Sequence, residues 1–412
     1  MDYKKKLGVS LSLAFEYYDI AVYAAIATYI IYQFFPKELF GVDSSLLLWM
    51  TYGLRLFSRP FGGFLIGLYA DYYGRKKALI LTSTITGAAT LCMSFMPTYH
   101  QVGLIATVIF FLMQLLQSFS FGAESPTAIS YLMEDAKENE RARIGGMLWG
   151  ASMFSVVLSL TVCFALQQVL TEAQMFSFGW RIPLFLGVIN LLISFYFKLK
   201  LIESKAFIPH KKVEVKIHPF SSFKIFLIMI PTAIIIYSNT FSCSILVNKF
   251  TDSEFYRSIL PILFNLTFLI ACIVLGYVVD RYFSCQYMLK KVYFMMVILG
   301  VPIYALQETG SWIALFVSQA FITLLVATTL CCTPAAMFAQ TTYKHRITTI
   351  AVGYNVAISV FGAFSPLLVN FLSSFGQAYV GLLMSFGGLC YFAALALDKY
   401  TQPASDQVST AS

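Results

Sequence analysis

The chain has 412 residues, of which 58% are hydrophobic and only 12% charged, with a net charge of +8 and a mean hydropathy of +0.75. Soluble domains carry about a quarter charged residues, and a chain of this length could not hide so much apolar surface in one water-facing core. The composition therefore excludes a soluble globular protein and fits one solvated by lipid.

The opening MDYKKKLGVSLSLAF starts like a secretory signal, basic then apolar. The apolar run is too long, carries two acids and lacks a clear small-residue cleavage site, so it reads as an uncleaved first span. A helix needs about 20 apolar residues to cross the hydrocarbon. Runs of that kind cover residues 8–34, 46–70, 78–96, 102–132, 143–169, 181–200, 221–246, 257–280, 287–306, 311–338, 347–372 and 376–397. The expected fold is an all-α membrane protein of twelve transmembrane helices in two six-helix bundles, over 1–200 and 221–400. The polar stretch KLKLIESKAFIPHKKVEVKIHP supplies a central loop over 201–220, and the tail over 401–412 is polar enough to be disordered.

Most of the 28 Lys and Arg fall on one side of this arrangement, including the lysines from Lys198 to Lys224. Only Lys37, Arg181, Lys249 and Arg257 fall on the other. By the positive-inside rule the basic side, with both termini, is cytoplasmic, as in a multi-pass protein of the bacterial inner membrane. The positive charge is thus a topology signal, and no nucleic-acid partner is expected. The eight cysteines are scattered, without metal-ligand spacing, so neither a metal nor another cofactor is expected. A monomer is the expected state.

Charges inside the spans are few. Glu16 and Asp19 lie three apart in FEYYD and share a helix face. Asp19 falls roughly 16 Å from the start of the first span at about 1.5 Å per residue. A charge at that depth must face the bundle interior or a water-filled cavity. Glu124 lies in the cytoplasmic part of the fourth span, with Arg59 or the loop at 71–77 as expected partners. No histidine falls inside a span, so a proton relay has to use Asp19, Glu16 and Glu124. Arg55 and Arg59, four apart in the second span, also share a face. Arg55 either binds substrate or pairs with Asp19 or Glu16 for packing. Tyr18, Tyr23, Gln114, Tyr237 and Asn355 are the other candidate substrate contacts, although the polar residues of the second half equally suit interhelical hydrogen bonding.

Several stretches have a recognisable order: GLYADYYGRKK (67–77), SRPFGG (58–63), LLQSFSFGAESPTAISYLMED (115–135), FGWRIPLFLG (178–187), IESKAF (202–207), TPAAMF (333–338) and HRITTIAVGYNVAISVFGAFSPLL (345–368). Together with FEYYD they resemble the metabolite:proton symporter branch of the major facilitator superfamily, which includes proline/betaine, shikimate, α-ketoglutarate and citrate transporters. The resemblance implies alternating access around a site between two bundles. It implies a latch made by Asp71, Gly74, Arg75 and Arg59, which gates without binding substrate. In the second half GYVVDRYFS keeps Gly276, Asp280 and Arg281 but has Phe283 for the second glycine and no basic run, so a symmetric second latch is in doubt. The family often carries a cation where this chain has Gln114, and Arg55 is an added cation at similar depth.

The reading is a secondary active transporter taking up a small polar metabolite, a zwitterionic osmolyte, an amino acid or a small carboxylate, together with protons. A drug or metabolite exporter of the same superfamily is the alternative. An ATP-driven pump would need a Walker motif, which does not occur. No nucleophile or metal cluster suggests an enzyme.

Overall fold

The computed structural model describes residues 3–35, 44–204, 207, 218–341 and 345–401. The central loop and the polar tail lie largely outside them. Twelve long helices follow in order: α1 (Tyr3–Ala25), α2 (Ser44–Tyr73), α3 (Arg75–Phe95), α4 (Leu104–Glu134), α5 (Arg141–Val169) and α6 (Arg181–Leu199) form the first six. α7 (Pro219–Phe250), α8 (Glu254–Tyr282), α9 (Cys285–Leu306), α10 (Trp312–Ala339), α11 (Arg346–Ser373) and α12 (Gln377–Thr401) form the second. Ten of these are long and apolar enough to cross a membrane, and α1 with its continuation Ala27–Phe34, bent by 67°, makes an eleventh. The twelfth is α2, a 30-residue helix that holds Arg55, Arg59 and Asp71.

The packing repeats between the halves. Within the first, α1 packs on α5 and α6, α4 on α2 and α3, and α3 on α6. Adding six to each number gives the principal pairs of the second half: α7 on α11 and α12, α10 on α8 and α9, and α9 on α12. The two bundles meet through α2 against α11 and α8 against α5, which are the same pair under that repeat. Their outer surfaces carry large apolar side chains such as Phe61, Leu192 and Ile313, each at least 65% exposed. In water these would be a liability; lipid solvates them without cost, so packing inside the bundles relies on close backbone approach instead.

Glycine provides that approach. A Cβ on Gly381 of α12 would lie 2.6 Å from Val301 Cα and 2.7 Å from the Gly300 carbonyl carbon on α9, and backbone cannot move aside as a side chain can. Gly381→Val is expected to force the helices apart at a cost of about 3 kcal/mol. Size-exclusion profiles and thermal unfolding of the solubilised protein check this; a variant with wild-type behaviour would show that the crossing tolerates a side chain.

Candidate functional site

Two polar clusters are built into the first bundle. The first centres on Lys198, in the last turn of α6. Its Nζ lies 2.5 Å from Glu16 Oε1 on α1 and 2.5 Å from Glu124 Oε1 on α4. Glu16 Oε1 also accepts hydrogen bonds from Ser83 Oγ at 2.5 Å and Ser194 Oγ at 3.2 Å, and Glu124 Oε2 accepts one from the Thr82 hydroxyl. All three charged side chains are about 1% exposed. Glu16 Oε2 is buried with no hydrogen-bond partner among the described residues. With every group ionised the cluster has two negative charges and one positive, so one bound proton makes it neutral.

This corrects two expectations. Lys198, at the boundary of an apolar run, was counted among the cytoplasmic anchors, but its flexible stem carries the ammonium inward to meet two acids. Glu124 meets Lys198 and Thr82, not Arg59 or the loop at 71–77.

The second cluster lies one helical turn along α1. Asp19 Oδ2 accepts hydrogen bonds from Thr90 Oγ1 at 2.5 Å and Gln117 Nε2 at 3.5 Å, and Gln117 also donates to Thr90 at 3.0 Å. Its Oδ1 is buried without a hydrogen-bond partner among the described residues and points at Gly187 of α6, where any Cβ would collide with it. Asp19 therefore faces the interior of its own bundle. Of the two readings of Arg55, the pair with Asp19 or Glu16 is not made among the described residues. Arg55 Nη1 instead donates to Gln114 Oε1 at 3.1 Å, and its guanidinium lies 4.9 Å from the Tyr23 ring centre. The cation gained on α2 thus reaches the α4 position where the resemblance expects one. Tyr18 packs in an apolar cluster that holds Phe34, Trp180 and Leu184 together with Tyr23 of this group.

Arg59 lies on the side of the first bundle that faces the second. Its guanidinium is 4.8 Å from the Phe121 ring centre, and Nε and Nη2 are buried without hydrogen-bond partners among the described residues. Tyr17 meets Phe121 edge-on at 4.6 Å and Trp149 at 6.3 Å. Tyr354 of the second bundle is buried and adjoins Tyr17 and Arg59 of the first, with Tyr237 beside it. Asn355 donates to the Gly122 carbonyl across the bundle interface at 2.6 Å and to Ala351 in its own helix at 2.7 Å, so its amide group is used in packing.

At the face where α2 ends, three helix N-termini are each met by a carboxylate from another element. Helix N-termini leave backbone N–H groups unsatisfied and carry partial positive charge. Asp71 of α2 accepts from Ile347 N and Thr348 N of α11 at 3.1 and 2.9 Å, and from Thr348 Oγ1 at 2.7 Å. Asp280 of α8 accepts from Ala142 N and Arg143 N of α5 at 2.9 and 2.7 Å. The decayed second motif therefore makes the counterpart of the first contact, since neither a glycine nor a basic run is needed for a carboxylate to meet a helix end. Glu203 accepts from Arg75 N and Lys76 N of α3 at 2.9 and 3.1 Å. Gly74 fits this turn for two reasons: its φ of 107° is left-handed, and a Cβ there would lie 2.8 Å from Glu203 Cδ. Arg75 pairs with Glu134 of α4 at 2.7 Å and Arg346 of α11 joins the same Oε1 at 3.2 Å. Arg281 projects outward, to Tyr277 of its own helix.

Residues 6–216 match the family model described as "Sugar (and other) transporter". The chain belongs to this family. Over 393 residues the transporter is 26% identical to a putative proline/betaine transporter of Staphylococcus aureus (strain COL), covering 90% of this chain and 82% of that one. Over 206 residues it is 31% identical to the proline/betaine transporter of Escherichia coli (strain K12), covering 49% of this chain and 40% of that one. Its fold is that of the proton:xylose symporter XylE, with a TM-score of 0.79 at 13% identity over 97% of this chain and 96% of that one. The human organic anion transporter MFSD10 matches with a TM-score of 0.72 at 13% identity, over 96% and 100%. These likenesses place the transporter in the major facilitator fold.

Proposed function

We propose that this transporter takes up a small zwitterionic metabolite, of the osmolyte or amino-acid kind, together with a proton, by alternating access. The observation that carries this reading is the set of three buried carboxylates, Glu16, Asp19 and Glu124, inside one bundle whose spans contain no histidine. Carboxylates sealed from water on a helix that also lines the bundle interface suit reversible proton binding, because one proton removes a charge whose burial is costly. Asp19 is the principal proton carrier and Glu16 and Glu124 share a second.

The substrate class follows from the interface between the bundles. Arg59, expected in the latch, lies instead at the bundle interface, and its two nitrogens without hydrogen-bond partners among the described residues suit a substrate carboxylate. The rings of Tyr17, Phe121 and Trp149 beside it suit a cationic or quaternary ammonium group. Arg55, Tyr23 and Gln114 form the approach to this site, and Tyr237 lines its far wall. The similarity to proteins named proline/betaine transporters points to the same class. Asp71 and Asp280, with Arg75, Glu134 and Arg346, form the gate at the cytoplasmic face, where both termini lie. The chain acts as a monomer in the inner membrane and needs no cofactor.

Uptake of radiolabelled betaine, proline and a small monocarboxylate into proteoliposomes tests this. Accumulation of a zwitterion is expected when the outside is acid relative to the lumen, and only equilibration without the gradient. Gradient-independent accumulation would remove the coupling. Efflux of lipophilic dyes with no zwitterion uptake would favour the exporter.

A further inference from the structure

The lysine that meets two of the buried acids and the residues that meet the gate lie on the same short segment of chain. Lys198 bridges Glu16 and Glu124 from the last turn of α6. Within six residues the chain reaches the gate, and it is pinned at each step. The Ile202 carbonyl accepts from Tyr131 Oη of α4 at 2.6 Å. Glu203 receives the first amides of α3, and Ser204 Oγ donates to Glu134 Oε2 at 2.5 Å. Glu134 is the carboxylate that Arg75 and Arg346 share. Resting on the proton-coupled reading above, we propose that Lys198 is the positioning residue that transmits proton occupancy of the Glu16–Glu124 pair to the gate, through the segment 198–204.

The chemistry gives the sign. Both acids ionised hold the ammonium between them and fix the end of α6. A proton on either one leaves Lys198 with a single anion, so the ammonium shifts toward the remaining carboxylate and the end of α6 is held on one side only. The segment beyond it loosens, and with it the contacts of Glu203 and Ser204. Proton binding then favours opening at the gate, the order that import requires. Among the described residues no other cation pairs with these two acids. The groups facing Lys198 are Glu16 on α1 with Asp19 a turn beyond, Glu124 on α4, the hydroxyls of Thr82 and Ser83 on α3, and Ser194 on its own helix. Lys200, two residues on, is exposed and lies over Tyr196.

The test uses the full chain and needs no ligand. Hydrogen exchange is followed for peptides covering 69–77, 199–204 and 345–350 in mildly acidic and mildly alkaline buffer, as protection factors corrected for intrinsic amide rates. In the wild type, protection at these segments is expected to fall about tenfold in acid. Lys198→Met should remove this pH difference, while Lys198→Arg should retain it. Should Lys198→Met fail to fold with two acids left unpaired, the neutral triple variant Glu16→Gln, Glu124→Gln, Lys198→Met takes its place. A pH difference that persists in either charge-removing variant would come from Asp71, Glu134, Glu203, Asp280 or His345 at the gate itself and would overturn the proposal, as would a wild type with no difference. A purely structural lysine would lower protection equally at both pH values. Loss of proton-driven uptake in the wild type would instead count against the transport reading, and is measured separately in liposomes.

Discussion

Asp19→Asn is expected to abolish concentrative uptake while leaving substrate exchange across the membrane intact. The substitution keeps the shape and a carbonyl oxygen to accept from Thr90, so the packing of α1 against α3 and α6 survives. It removes the carboxylate that, on the proposed reading, binds and releases the proton. A carrier with this site frozen in its neutral form still alternates, and still exchanges labelled for unlabelled substrate, but no longer draws on the gradient. Counterflow and gradient-driven uptake in the same proteoliposomes separate the two. Accumulation at the wild-type level would assign the proton elsewhere, with Glu16 and Glu124 next in line.

Glu134→Gln is expected to open the gate. Glu134 is fully buried at its side chain and receives Arg75, Arg346 and Ser204 at once, thereby tying α3, α11 and the segment after α6 to α4. Removing the charge from a buried pair leaves cations whose desolvation is no longer offset, at a cost of about 3–5 kcal/mol. Part of that cost is relieved by separating the bundles at this face, which hydrates both guanidinium groups. Protection of the 345–350 amides should then fall by about two orders of magnitude for a 3 kcal/mol shift. Unchanged protection would mean that Asp71 and Asp280 hold the face closed without it.

The spans were legible because lipid demands long apolar helices and tolerates little else. The turn after Asp71 was legible because it requires glycine and leaves basic residues in a row. Lys198 was not, because a lysine at the edge of an apolar run has the same sequence signature whether its ammonium snorkels outward to water or inward to an acid. Three acids against two arginines well inside the spans of the same half were the available clue. Asp280 was underrated because its motif was judged by glycine and basic residues, while the contact it makes needs only a carboxylate and a helix N-terminus. Asn355 read equally well as a substrate contact or as packing, and its Nδ2 takes the packing role at the Gly122 carbonyl.

Between the helix ends, the charged groups of the first bundle are three acids, Glu16, Asp19 and Glu124, and three bases, Arg55, Arg59 and Lys198. No charged residue lies in the middle of α8, α10 or α11. On the proposed reading the empty carrier thus has no net charge within the hydrocarbon, a zwitterion adds none, and the loaded carrier has one positive charge for each proton it binds. Moving one charge through 100 mV is worth about 2.3 kcal/mol. A membrane potential, negative inside, therefore drives the loaded carrier inward and leaves the return of the empty one untouched.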